Sequence, residues 1–200
     1  MRNNKNNKKS SGGEGYTLIE VLVAVVVFSI TVAGPTGLFI SSLEGQTRTL
    51  LLGRMTESSS YSLEYMSRAL RMAKKDLAGT CIDAKTNYKN PSGISSIRFL
   101  KYDEILAKDI CMEFLVQAGQ LGERKSANEQ SSGLGSFSAL TPNELEVTST
   151  QAKFVITGQG QVDNLQPRVT IYFRMTKKNQ SQPEIKVETT VSQRNLDIFY

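Results

Sequence analysis

Residues 21–40, VLVAVVVFSITVAGPTGLFI, contain no charged side chain, and this constrains the fold more than any other feature of the sequence. Twenty residues of α-helix span about 30 Å, the thickness of a bilayer's hydrocarbon layer. Arg2, Lys5, Lys8 and Lys9 lie upstream, with Glu14 as the one acidic residue among the first fifteen. By the positive-inside rule residues 1–15 stay in the cytoplasm and the chain beyond the helix lies outside. The competing reading is a secretory signal peptide cut near Thr31-Val32-Ala33. Two features oppose it. The apolar run continues through Leu38, Phe39 and Ile40, and Glu20 falls near the start of what would be the apolar core of such a signal.

The formal charge of +5 belongs mainly to this leader, which holds four of the 24 basic residues and one of the 19 acidic ones. The rest is close to neutral, which removes most of the case for a phosphate-binding face, and no nucleic-acid partner is expected. Histidine is absent, excluding the commonest general base, the usual Ser-His and Cys-His pairs and most zinc sites. No phosphate-binding glycine loop, Gly-x-Ser-x-Gly elbow, Cys-x-x-Cys pair or metal-ligand spacing occurs. The sequence therefore predicts no catalytic residue, no cofactor and no metal site.

Glu20 needs a mechanism, because a carboxylate inside a spanning segment costs about 2.5–3.5 kcal/mol on insertion scales. One reading is hydration at headgroup level. The other is a cation supplied by a partner. A chain cut just before Tyr16 would expose an ammonium four residues from Glu20, so the amine of one copy could meet the carboxylate of its neighbour in a staggered bundle.

The run Gly15-Tyr16-Thr17-Leu18-Ile19-Glu20-Val21, after a short basic leader and before a long apolar stretch, closely resembles the type IV prepilin signature. In that family an aspartic membrane peptidase cuts after the glycine and N-methylates the new first residue. The resemblance implies a cut between Gly15 and Tyr16, methylation of Tyr16, and for Glu20 the place of the family's assembly glutamate. It departs from the family in having Tyr rather than Phe as first residue, and Glu14 before the glycine. A glutamate here is lacking in one minor pseudopilin type that caps filament tips, so its presence argues against that role. The resemblance further implies partners: prepilin peptidase, inner-membrane lipid before assembly, and other pilin or pseudopilin subunits through the N-terminal helix. Gly34-Pro35 predicts a kink or local unwinding, since proline removes a helix hydrogen bond and crowds the preceding turn; a membrane helix can also tolerate proline without consequence.

No proline follows until Pro91, and Leu51, Met55, Ser58 or Ser59, Ser62, Met66, Ala69 or Leu70, Ala73 and Leu77 recur at three- and four-residue steps. They predict one helix from about Thr17 to about Ala78, ended by Lys74, Lys75 and Gly79. Beyond it, residues 94–102, 110–117, 144–150, 153–157, 168–176 and 184–191 read as strands, and 119–140 as a loop. The fold class is α+β, a long helix with a membrane half and an amphipathic half packed on an antiparallel sheet, as in pilins. The divisions are a leader (1–15), an assembly helix (16–41), its amphipathic continuation (42–79) and a β-rich domain outside the cytoplasm (80–200).

Cys81 and Cys111 would close a loop of about thirty residues if the domain is outside the cytoplasm, contributing about 3–4 kcal/mol; two buried thiols are the alternative. Asp83, Asp103, Glu104 and Asp109 flank this loop without a recognisable calcium spacing, so a solvated loop is favoured over a calcium site. Residues 187–195 resemble the last strand of larger minor pseudopilins. The sequence therefore reads as a minor pilin or pseudopilin of a type IV pilus, type II secretion or competence-type filament, held in the cytoplasmic membrane and later part of a filament. A membrane-anchored exported enzyme or binding protein is the alternative.

Overall fold

The computed structural model describes residues 15–159 and 165–194. The leader residues Arg2 to Glu14, and Asn195 at the end of the stretch that resembles a pseudopilin strand, lie outside the described residues. The chain forms two compact units, one up to Thr47 and one from Arg48 onward. A single helix, α1 (Leu18–Arg71), supplies all but Gly15, Tyr16 and Thr17 of the described part of the first and opens the second.

In the first unit every described residue is exposed, including Val21, Leu22, Val25, Phe28, Ile30, Leu38 and Phe39. The helix is long and apolar enough to cross a membrane. It is continuous across Gly34 and Pro35. The hydroxyls of this stretch turn back onto its own backbone. Ser29 donates to Val25 O at 2.7 Å, Thr31 to Val27 O at 2.8 Å and Thr36 to Val32 O at 2.8 Å. Hydroxyls so engaged need no water, which suits an apolar medium.

In the second unit α1 buries one face. Met55, Ser59, Ser62, Met66, Ala69 and Leu70 recur at three- and four-residue steps and pack on two antiparallel sheets. The strands are β1 (Ala73–Lys74), β2 (Pro91–Ile94), β3 (Ser96–Asp103), β4 (Lys108–Gln117), β5 (Gln120–Lys125), β6 (Ser138–Ala139), β7 (Leu145–Val147), β8 (Lys153–Thr157), β9 (Arg168–Lys177) and β10 (Glu184–Ser192). One sheet runs β1-β3-β4-β5-β6; in the other β9 is central, with β10 on one side and β7 and β8 on the other. Alternate residues of β9, Val169, Ile171, Phe173 and Met175, enter the core, as the period of a strand with one covered face requires. Across the core Ser59 lies 3.9 Å from the Met175 sulfur. Phe99 and Phe114 meet with ring centroids 5.7 Å apart.

The α+β class, with a long N-terminal helix on antiparallel sheets, is the architecture expected of a pilin. Three details differ from the sequence expectation. The helix ends at Arg71, not near Ala78, because its last carbonyls find partners there: Tyr88 Oη donates to Leu70 O at 2.8 Å and the Arg194 N–H donates to Arg71 O at 2.8 Å. Ala73 and Lys74 then leave the helix to pair with Lys101 and Leu100 of β3. Leu77, expected on the helical stripe, is 68% exposed. The second difference is β5, inside the predicted loop 119–140. Its turn holds Ala118 and Gly119 at φ +51° and +78°, the pattern of a type I′ hairpin, which matches the strand twist. Third, the strands divide between two sheets instead of one.

β5 is fastened to the helix by three polar groups. Tyr65 Oη donates to Glu123 Oε2 at 2.7 Å, and Lys125 Nζ donates to Tyr65 Oη and to Glu123 Oε1 at 2.8 Å each. Burial pushes the Tyr65 hydroxyl above its ordinary value, with the Glu123 carboxylate adding and Lys125 opposing. The buried Glu123 is thereby both hydrogen-bonded and ion-paired, as a charge at such a position must be.

Candidate processing and assembly site

Gly15, Tyr16 and Thr17 are exposed and non-helical, and α1 begins immediately after them. Thr17 is the helix N-cap: its Oγ1 accepts from the Glu20 N–H at 3.3 Å, and its carbonyl from the Glu20 and Val21 N–H groups at 3.1 and 3.2 Å. The sequence Thr-Leu-Ile-Glu has the capping-box pattern, a local signal for the start of this helix. It starts the helix and puts Glu20 in the first turn, where the positive end of the helix dipole favours an anion.

Glu20 is exposed. Two shallow grooves run beside it: one is lined by Ile19, Glu20, Val23, Ala24, Val27, Phe28 and Thr31, the other by Tyr16, Glu20, Val21, Ala24, Val25 and Phe28. Glu20, Ala24 and Phe28 line both, at a four-residue spacing that stacks side chains one above another on a helix. The small Ala24 leaves room on that face, while Tyr16 and Glu20 share one groove. Its lining is almost wholly carbon, with the carboxylate as the one charged group. Such a surface accommodates another apolar helix and, at one point only, a cation.

The other singled-out residues lie elsewhere. Gly34 and Pro35 are mid-helix in the first unit. Cys81 and Cys111 are in the second, joined as a disulfide with Cα atoms 5.4 Å apart and buried beside Ile82 and Leu100. Asp76 organises the loop that carries Cys81, its carboxylate accepting N–H groups from Gly79 at 2.8 Å, Cys81 at 2.8 Å and Ile82 at 3.0 Å. Gly79 is at φ +74°, a backbone conformation that suits glycine. Of the acidic residues around the loop, Asp83 pairs with Lys89 at 2.6 Å and Asp109 with Lys74 at 2.8 Å. Asp103 instead accepts the Ile105 and Leu106 N–H groups at 3.0 Å each. Among the described residues no group of three or more His, Cys, Asp or Glu side chains gathers as a metal site.

The prokaryotic N-terminal methylation motif matches residues 13–34 of the chain. This motif, at the head of a long apolar helix joined to an α+β domain, supports a type IV pilin-like protein and indicates a prepilin-peptidase substrate. It points to a structural subunit that assembles with other pilins, and the apolar helix, the one candidate span among the described residues, fits a single-pass membrane anchor with the C-terminal domain outside. No match was found among curated proteins or among solved structures.

Proposed function

We propose that the chain is a minor pilin or pseudopilin of a type IV pilus, type II secretion or competence-type filament. Prepilin peptidase cuts it between Gly15 and Tyr16 and methylates the Tyr16 amine. The mature helix then leaves the lipid and packs among the helices of other subunits. The observation that carries this reading is the methylation motif standing directly before a helix whose first thirty or so residues are uncovered by their own chain. Leaving that much apolar surface in water would cost roughly 25 cal/mol per Å2, so the segment requires lipid or other helices around it. The exposed, non-helical Gly15-Tyr16 pair suits a peptidase, which must bind its substrate as an extended chain.

Glu20 is the charge partner of the new terminal amine, its own or a neighbour's. In an apolar bundle an unpaired carboxylate is strongly unfavourable, so the pairing favours one axial register of helix against helix. The β-rich second unit favours a minor over a major subunit.

Intact-mass spectrometry of the protein, expressed with and without prepilin peptidase, tests the processing step. With the peptidase, the mass falls by residues 1–15 and rises by one methyl group; without it, the leader is retained. A leader kept in the presence of active peptidase, or a cut near Ala33, overturns the proposal.

A further inference from the structure

β10 is the outermost strand of its sheet. It pairs with β9 through nine residues, and among the described residues no strand pairs with its other edge. Proteins guard long edges with bulges, prolines or charges, because unpaired N–H and C=O groups invite another chain. β10 has no bulge, since its register advances one for one from Glu184↔Thr176 to Ser192↔Arg168, and no proline interrupts it. Its charged residues, Glu184, Lys186 and Glu188, fall in the first part, and Glu184 is already engaged by Arg174 at 2.7 Å and Lys186 at 3.2 Å. The remaining Thr189-Thr190-Val191-Ser192 is uncharged and rich in residues that favour strands.

A groove of about 720 Å3 opens at this unguarded end, lined by Arg68, Arg71, Met72, Thr190, Ser192 and Arg194. Thr190, Ser192 and Arg194 are exposed and alternate with the buried Val191 and Gln193, so they share a face. The lining contains three arginines and no carboxylate. Arg68 is held by Glu64, but the Arg71 and Arg194 side chains have no carboxylate partner among the described residues. These two residues are tied together by the Arg194 N–H bond to Arg71 O. Basic residues in a last helical turn complement the helix dipole, which accounts for Arg68 and Arg71. It does not account for Arg194, which arrives from the sheet.

We propose that the edge at residues 189–192 receives an extended segment of another polypeptide as an added strand, and that the arginine groove selects a segment bearing carboxylates. Main-chain bonds to the edge supply affinity, as in other cases of strand addition. The guanidinium forks, matched to carboxylate geometry, supply the choice of sequence. This contact is separate from helix assembly and does not depend on it.

The test uses the full chain in detergent micelles and a fluorescent peptide, acetyl-(Thr-Glu)4-amide, whose carboxylates lie on one face when extended. Its glutamine counterpart serves as the neutral comparison. Expected are saturable binding by anisotropy, about tenfold weaker binding of the glutamine peptide, and slowed amide exchange across residues 189–192 on binding. The double variant Arg71→Gln, Arg194→Gln should bind the acidic peptide about tenfold more weakly with an unchanged melting curve. Equal binding of the two peptides to the unaltered protein, or binding without slowed exchange at 189–192, overturns the proposal. Undiminished affinity in the double variant does so too.

Discussion

Asp76 shows how much a single side chain can organise. Burial alone would push its carboxyl up, but the N–H groups of Ile82, Cys81, Gly79 and Thr80 outweigh it and hold the group below its ordinary value of 3.8. A carboxyl depressed in the folded state stabilises the fold fully above its unfolded value, and that contribution disappears as pH falls through the lower folded value. Asp76→Asn should therefore destabilise by about 1–3 kcal/mol near pH 7, since an amide offers one acceptor oxygen to the surrounding donors. The gap between variant and parent in urea denaturation should narrow near pH 3; a gap that stays constant would refute the electrostatic account. Little of this was legible in the sequence. Asp76 sits three residues before Gly79, in a stretch whose basic residues and glycine resemble a helix end, and the partners that overrode that signal, Tyr88 and Arg194, come from distant parts of the chain.

Elements with strong periodicity declared themselves. The spacing Met55-Ser59-Ser62-Met66 gave the buried face of α1 because a helix repeats every 3.6 residues, and β8 was legible from end to end through its run of Lys, Phe, Val, Ile and Thr. β5 did not, since Gln-Leu-Gly-Glu-Arg-Lys has little strand preference and owes its conformation to pairing with β4 and to the Tyr65–Glu123–Lys125 group. Its glycine has a steric reason: a Cβ at Gly122 would stand 2.4 Å from both Phe137 Cζ and the Ser138 carbonyl oxygen. Gly122→Ala should force β6 away and cost about 1–3 kcal/mol, lowering the urea midpoint of the β-rich unit. An unchanged midpoint would mean that the β5–β6 approach is not held in solution.

At the scale of the whole molecule, the N-terminal methylation motif was readable because it is written in consecutive residues, whereas the two-sheet division depends on pairings between distant ones. Glu20→Val tests the proposed assembly role directly. Peptidase processing should persist, because the Gly15-Tyr16 bond and the apolar helix remain, while recovery of the variant in isolated filaments should fall about tenfold or more, given the several kcal/mol at stake when a buried charge loses its partner. Normal recovery would remove the carboxylate from the assembly mechanism.

The hydroxyls of Ser29, Thr31 and Thr36, bonded to carbonyls one turn back, carry a last implication. With its polar atoms folded inward, the rod shows nearly the same carbon skin to acyl chains as to neighbouring protein. On the proposed route from membrane to filament, passage from one surrounding to the other would leave these bonds intact, and Glu20 would be the group at which the two environments most clearly differ.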